Sequence, residues 1–221
     1  VLLRHGQTTW NVEHRFQGHS DIPLDETGRE QALRAGRMLA ALRPDAIVSS
    51  DLARATSTAQ PLARLTGLVV TLDKDLRERS GGLWEGLTDQ EIRERYPKER
   101  ETWDPPEGES RGQVAERVAA ALRRAADGLP PGGLAVVVSH GAAIRLGMER
   151  VLGLAEDAEG ILGSLSNCSW SILQMTPRGA NGVSPRTPRG RADGQATISA
   201  LQRGHRWRVL EHNAGTLPEP V

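Results

Sequence analysis

One cysteine, Cys168, stands in the whole chain of 221 residues. A lone thiol excludes an intrachain disulfide framework and a zinc cluster built on cysteines. An excess of charge of one sign is missing too, since 28 Lys and Arg face 28 Asp and Glu. No gross field therefore draws the chain to nucleic acid or to an anionic membrane. Lysine is scarce, with Lys74 and Lys98 its only representatives. Arginine is thus the default cation, and a single Arg carries little information alone. No apolar run has the length of a membrane-spanning helix, and no signal-peptide pattern is visible. A cytoplasmic protein without nucleic-acid or membrane partners is expected. The chain opens without Met, almost on its first motif, so a few residues are expected upstream. At this length one domain, residues 1–221, is the default.

What is present is organised around Arg4-His5-Gly6. Val1 to Leu3 is a short apolar run that reads as a strand, and Gly6 lets the backbone turn after it. Asn11 to Asp25 has no clear period and reads as a long polar loop. Thr27 and Glu30 are spaced as a capping box before a helix that Pro44 stops. Asp45 to Val48 reads as a strand, followed by a helix from Leu52 to about Leu65 that carries Arg54 in its first turn. Leu68 to Leu72 is a third strand, and Leu76 to Gly86 a glycine-rich loop carrying Glu78. Thr88 and Glu91 cap a helix expected to end at Pro97; Ser110 and Gln113 cap another that runs to about Ala126. Leu134 to Val138 is nearly all apolar, as suits a parallel strand buried on both faces. It ends in Ser139-His140-Gly141, and a helix from Ala142 to Leu152 follows. Cys168 to Met175 and Arg206 to Leu210 read as two last strands, the first as the edge at which a homodimer would form. Residues 176–203 are rich in Gly, Pro, Arg, Ser and Thr and read as a flexible low-complexity insertion.

Strands alternating with helices predict an α/β fold: a three-layer α/β/α sandwich with a mostly parallel central sheet. In such sheets the carboxyl ends of the strands share one rim. Arg4, His5, Arg54 and His140 all fall just past such ends, and Glu78 lies in a loop able to reach them. This set suits phosphoryl transfer through histidine. One imidazole attacks phosphorus, and cations hold the equatorial oxygens where charge spreads. A carboxylic acid protonates the departing oxygen and then deprotonates a water. The cations leave no metal or other cofactor to be required.

Arg4-His5-Gly6 with Thr8, Asn11, Gln17-Gly18, Arg54, Glu78 before Gly82-Leu83-Trp84-Glu85-Gly86, and Ser139-His140-Gly141 together resemble the histidine phosphatase superfamily. This is the branch that includes cofactor-dependent phosphoglycerate mutase. The resemblance covers about residues 1 to 175 and implies a phosphoglycerate mutase-like fold. It makes His5 the phosphorylated nucleophile and Glu78 the proton donor, with Arg4, Arg54 and His140 as the phosphate pocket. It places Asn11, Gln17, Gly18 and Gly141 against substrate. Glu85 is close by, but the Leu-Arg before Glu78 fits the family pattern, while Glu85 belongs to a Trp-Glu-Gly turn. Family mutases carry an extra segment between the glutamate and the second histidine. Here that interval is short, and Thr102 to Ser110 is similar to the phosphatases' Pro-Gly-Glu-Ser loop. Ser166-Asn167-Cys168-Ser169-Trp170 and the tail with Trp207, Arg208 and Asn213 are similar to actinobacterial glucosyl-3-phosphoglycerate phosphatases. The insertion at 176–203 has no counterpart in that pattern.

A metal-independent phosphomonoesterase acting on a small-molecule phosphate ester is therefore expected. A cofactor-dependent mutase and a non-catalytic phospho-ligand binding module are the alternatives. A metal site on His14, His19 or His140 lacks a His-Glu-x-x-His pattern. A cysteine phosphatase would need Arg six residues after Cys168, where Gln174 stands.

Overall fold

The computed structural model of the protein describes residues 1–155, 161–177 and 205–215. Six strands form one sheet: β1 (Leu2–Arg4), β2 (Ala46–Ser49), β3 (Val70–Leu72), β4 (Ala135–Ser139), β5 (Trp170–Pro177) and β6 (His205–Ala214), in the order β3-β2-β4-β1-β5-β6. The first four are mutually parallel, while β5 runs antiparallel to both β1 and β6. Helices α1 (Thr9–Val12), α2 (Glu26–Ala40), α3 (Ala53–Thr66), α4 (Asp89–Arg95), α5 (Pro97–Thr102), α6 (Arg111–Asp127) and α7 (Gly141–Leu152) complete the described fold.

Alternation along the strands sorts the core into two layers, as a period of two requires. Leu2 and Val137 face Val118, Leu122, Ile144 and Met148 of α6 and α7. Leu3, Val136 and Val138 face Ala35, Leu39, Ala59 and Leu62 of α2 and α3. The expected α/β/α sandwich with a mostly parallel sheet is what these layers build. Both central strands, β1 and β4, end in a histidine-glycine pair, so His5 and His140 arrive side by side: Arg4 pairs with Ser139, and the next residue on each strand is the histidine. Helix α6 leads into β4 and α7 leads out of it, so both helices begin at that same rim.

Several local expectations change. Asp25, not Thr27, caps α2: its Oδ1 accepts the Gly28 N–H at 2.7 Å while Oδ2 accepts from Gln7 Nε2. That second partner lies far back in the chain, so local spacing could not choose between the caps. The polar loop contains α1, a single turn boxed by Thr8 and Asn11, too short to show a period. Pro97 does not only end α4; it opens α5 at the first helical position, where a missing N–H costs nothing. β5 is not an edge strand, because β1 and β6 pair with its two sides; it has no free side for a dimer contact. β5 continues through Pro177, so Thr176 and Pro177 belong to the sheet, and the rest of the expected flexible insertion lies outside the described residues.

Helices α6 and α7 approach closely through a glycine. A Cβ at Gly147 would lie 2.4 Å from Val118 Cγ1. Overpacking of this kind usually costs about 1–3 kcal/mol. Gly147→Ala is therefore expected to lower the free energy of urea unfolding by about that amount. A change within about 0.5 kcal/mol, the usual range for an uninvolved surface site, would contradict the tight contact.

Candidate active site

His5 is 3% exposed and its ring lies 5.1 Å from that of His140, centroid to centroid. The His5 Nδ1–H donates to the Gly6 carbonyl at 2.7 Å, which leaves Nε2 as the ring nitrogen with a free lone pair. Burial first, and then the charges of Arg54 and Arg4, hold the His5 imidazole well below the usual histidine value. The Gly6 hydrogen bond pulls the other way but does not prevail. A neutral imidazole with its lone pair available is what a nucleophile at phosphorus needs.

Gly6 is fixed from two directions. Its N–H donates to Thr58 Oγ1, which in turn donates to the Arg54 carbonyl. A Cβ on Gly6 would meet the Gly28 carbonyl oxygen at 2.5 Å, so the turn admits no side chain. The 166–170 segment supports the same turn from below. Cys168 N–H lies 3.2 Å from the carbonyl oxygens of both Arg4 and His5, and Asn167 Nδ2 donates to the His5 carbonyl. Burial pushes the Cys168 thiol up to about 12, so it is a buttress and no thiolate.

Arg54 is fully buried. Its Nη1 and Nη2 donate to the carbonyls of Ser20 and Gly18, both at 2.8 Å, and its Nε donates to His140 Nδ1 at 3.2 Å. An arginine cannot accept, so His140 Nδ1 is the unprotonated nitrogen and Nε2–H donates to Ser50 Oγ at 2.9 Å. Burial, followed by Arg54, His5 and Arg4, lowers the His140 pKa well below the usual value. Both ring nitrogens of His140 are thus occupied, and the ring lies behind Arg54 rather than on the cavity wall. Arg4 lines the cavity, and its Nε is buried with no hydrogen-bond partner among the described residues. Gly141 lies beside it, where a Cβ would make ordinary contact with that Nε at 3.5 Å.

Glu78 caps α7 from outside. Its carboxylate accepts the N–H of Ala142 and Ala143, at 3.2 and 2.9 Å, and that of Arg79. His140 precedes α7 but gives no side-chain cap, because its ring is turned toward Arg54 and Ser50. Arg117 of α6 holds the Glu78 loop by donating to the carbonyls of Asp75, Arg77 and Glu78 while paired with Glu109. Glu85 has another task. Its two oxygens accept from His19 N, Gly81 N, Ser20 N and Ser20 Oγ, which fixes the Gly18–Ser20 loop whose carbonyls receive Arg54.

A cavity of about 320 Å3 opens over this floor. His5, Arg4, Arg54, Glu78, Asn11, Gln17, Gly18 and Gly141 all line it. Asn11 Oδ1 receives Thr8 N, Thr8 Oγ1 and Asn167 Nδ2, which leaves the Asn11 Nδ2 as a donor. Gln17 Oε1 lies 3.0 Å from Thr8 Oγ1 and shares the single Thr8 hydroxyl proton with Asn11 Oδ1. The sequence reading did not name Arg79, Arg111, Arg145, Phe16 or Ser50 as part of the site. Phe16, Arg79, Trp103, Arg111 and Arg145 share the wall, while Ser50 sits behind it. A first-turn arginine on α6 resembles any solvated cation in an arginine-rich chain, so no local signal marked it. Among the described residues no group of three or more His, Cys, Asp or Glu side chains is placed to hold a metal ion, and no helix is long and apolar enough to cross a membrane.

Comparison with known proteins agrees with this geometry. Residues 1–186 match the model of the histidine phosphatase superfamily (branch 1). A glucosyl-3-phosphoglycerate phosphatase of Mycobacterium tuberculosis is 41% identical over 186 residues, covering 78% of this chain and 83% of that one. A probable phosphoglycerate mutase GpmB of Cronobacter sakazakii is 40% identical over 190 residues, covering 82% and 87%. The solved structure of a mycobacterial glucosyl-3-phosphoglycerate phosphatase in complex with VO3 superposes with a TM-score of 0.80 at 35% identity, over 97% of this chain and 98% of that one.

The two buried neutral histidines link stability to pH. Their folded pKa values lie below the unfolded value near 6.5. Above about pH 6.5 both states are neutral and the stability is fully present. As pH falls below it, the unfolded chain takes up protons that the folded site refuses, so stability is lost. The slope reaches at most about 1.4 kcal/mol per pH unit for each histidine. Urea midpoints are therefore expected to fall between pH 7 and pH 5, more steeply in wild type than in His140→Gln. Equal slopes in the two proteins would contradict a neutral buried His140.

Proposed function

The chain belongs to the histidine phosphatase superfamily (branch 1), and from that premise we propose that it hydrolyses phosphomonoesters through a phosphohistidine on His5. The observation that carries the reading is the His5 imidazole. It is buried, neutral, tied at Nδ1 to Gly6, and faces a cavity whose floor is cationic. Nε2 attacks phosphorus as the ester P–O bond breaks. Arg4 and Arg54 hold the non-bridging oxygens, where the transition-state charge is spread. Glu78 gives its proton to the departing alkoxide. The same carboxylate then takes a proton from water; the water oxygen bonds to phosphorus, the P–N bond breaks, and inorganic phosphate and neutral His5 are released. The Nδ1–H bond to Gly6 steadies the ring while Nε2 carries the phosphoryl group. Asn11, Gln17 and the backbone at Gly18 and Gly141 border the bound phosphate. His140 supports the pocket through Arg54.

A phosphorylated small metabolite such as glucosyl-3-phosphoglycerate is the proposed substrate. The support is the likeness to phosphatases so named and a cavity with room beyond a phosphate. The setting proposed is cytoplasmic. A homodimer remains part of the reading, with its contact elsewhere than on β5. The mutase-named relative favours a second reading, phosphoryl transfer back to a phosphoglycerate. Against it stands the stretch between Glu78 and His140, which holds only a 3-10 turn at Gly82–Trp84, helices α4 to α6 and β4. No added closing segment lies there to keep water from the intermediate.

His5→Ala is expected to abolish phosphate release, and Glu78→Gln to slow it by about 10²–10³, the usual loss for one acid–base or charge-stabilising group. The test is phosphate release from a panel of esters with chelator present. Wild-type turnover by His5→Ala would overturn the mechanism. No release by wild type, with transfer to a phosphoglycerate after priming with a bisphosphoglycerate, would favour the mutase; neither activity would favour the binding module.

A further inference from the structure

Two loops that carry different halves of the proposed chemistry meet at His19. The carbonyls of its chain neighbours, Gly18 and Ser20, receive Arg54 Nη2 and Nη1. Its ring reaches the other way. His19 Nε2 lies 2.8 Å from the Glu78 carbonyl oxygen. A carbonyl oxygen only accepts, so Nε2 carries the proton and donates. Arg117 Nη2 donates to the same oxygen, also at 2.8 Å, so both lone pairs of that carbonyl are taken. The Glu109 carboxylate, paired with Arg117, lies 3.8 Å from the same His19 nitrogen. The His19 backbone is held in turn by Glu85, which accepts its N–H at 2.8 Å.

The Glu78 carbonyl is one end of a peptide plane whose other end is the Arg79 N–H. That N–H donates to Glu78 Oε1 at 2.9 Å. A peptide unit is planar and trans, so pinning its oxygen fixes the direction of its N–H, and through that bond the place of the Glu78 carboxylate. The His19 ring does not itself line the cavity, and its side chain is 33% exposed, so it is neither a substrate contact nor part of the core. We propose that His19 is a positioning residue: by holding the Glu78–Arg79 peptide plane from the Arg54 loop, it keeps the proton donor in register with the bound phosphate. This role rests on the phosphatase reading above and acts on its acid step. Arg117 grips the same oxygen from α6, but it also donates to the carbonyls of Asp75 and Arg77 and pairs with Glu109, so its loss would loosen the whole loop. His19 is the more selective handle on that plane.

The leaving group separates this role from a merely structural one. When the P–O bond of an alkyl phosphate breaks, the departing alkoxide takes a proton from the Glu78 carboxyl group. A p-nitrophenolate leaves as a stable anion and needs none. Misplacing the acid therefore slows the alkyl ester and spares the aryl ester, whereas damage to the nucleophile or the phosphate floor slows both. The value of kcat/KM, which covers the steps up to release of the alcohol, is measured for glycerol 3-phosphate and p-nitrophenyl phosphate. The proteins compared are wild type, His19→Phe, His19→Gln, Glu78→Gln and the double variant His19→Phe/Glu78→Gln. His19→Phe keeps the bulk and loses the donor. It is expected to lower the alkyl-ester value by about tenfold or more, as a small misplacement of a reacting group does. The aryl-ester value should stay within about twofold, the reach of an uninvolved surface change. His19→Gln offers an amide N–H in the same place and should recover most of the loss. Adding His19→Phe to Glu78→Gln should slow the alkyl ester no further, because the two residues act as one unit. An alkyl-to-aryl ratio unchanged in His19→Phe, or full additivity in the double variant, overturns the positioning role and leaves the phosphatase standing. A wild type that hydrolyses neither these two esters nor any other phosphomonoester overturns the phosphatase reading itself.

Discussion

The structure depends on one awkward charge, the fully buried guanidinium of Arg54. A buried cation is costly unless its donors are met. Here they meet two carbonyls and one imidazole rather than a carboxylate. Three of its five N–H donors are met in this way, and no direct ion pair among the described residues cancels the charge. Arg4 next to it keeps a buried Nε without a hydrogen-bond partner among the described residues. Two such cations over a neutral His5 form a hole shaped for an anion. Burial first, and these charges after it, hold both histidines neutral, so the cationic pocket and the protonation state of His5 arise in one place.

Holding Arg54 there organises much of the chain. The Gly18 and Ser20 carbonyls must point inward, and Glu85 fixes that loop with three hydrogen bonds while holding Gly81 with a fourth. Asp21 ends the same loop by capping α3, whose own N-cap Leu52 has no side-chain oxygen. Thr58 couples the Arg54 helix turn to Gly6, hence to His5. On the opposite side, Glu78 takes the α7 N-terminus and Arg117 holds its loop. His5, Arg54 and Glu78 are thus held by Thr58, Glu85 and Arg117, none of which lines the cavity.

Much of this was legible in the sequence where function coincides with strand ends. Arg4-His5-Gly6 and Ser139-His140-Gly141 stand at the ends of apolar runs, and parallel pairing brings them together. Of the two neighbouring acids, Glu78 lines the cavity, while Glu85 is taken up by the backbone N–H groups of His19, Ser20 and Gly81 and by the Ser20 hydroxyl. What was hidden arises from contacts distant in sequence. Ser50 meets His140 across 90 positions, and Arg117 meets Glu78 across 39. No local pattern encodes such pairs. The place of β5 was hidden for a related reason. An apolar strand near the end of the chain reads equally well as edge or interior, and only its pairing with β6 decides. His140 is similar: its motif is plain, but its place behind Arg54 follows from the ring's two partners.

The central claim is that His5 Nε2 accepts the phosphoryl group. The most direct test is to mix enzyme with a phosphomonoester, quench within the first turnover under alkaline conditions that spare phosphohistidine, and map the modified peptide by mass spectrometry. The account predicts a phosphoryl group on His5, accumulating further in Glu78→Gln and absent from His5→Ala. A phosphoryl group on another residue, or turnover with no phosphoenzyme at all, would contradict it.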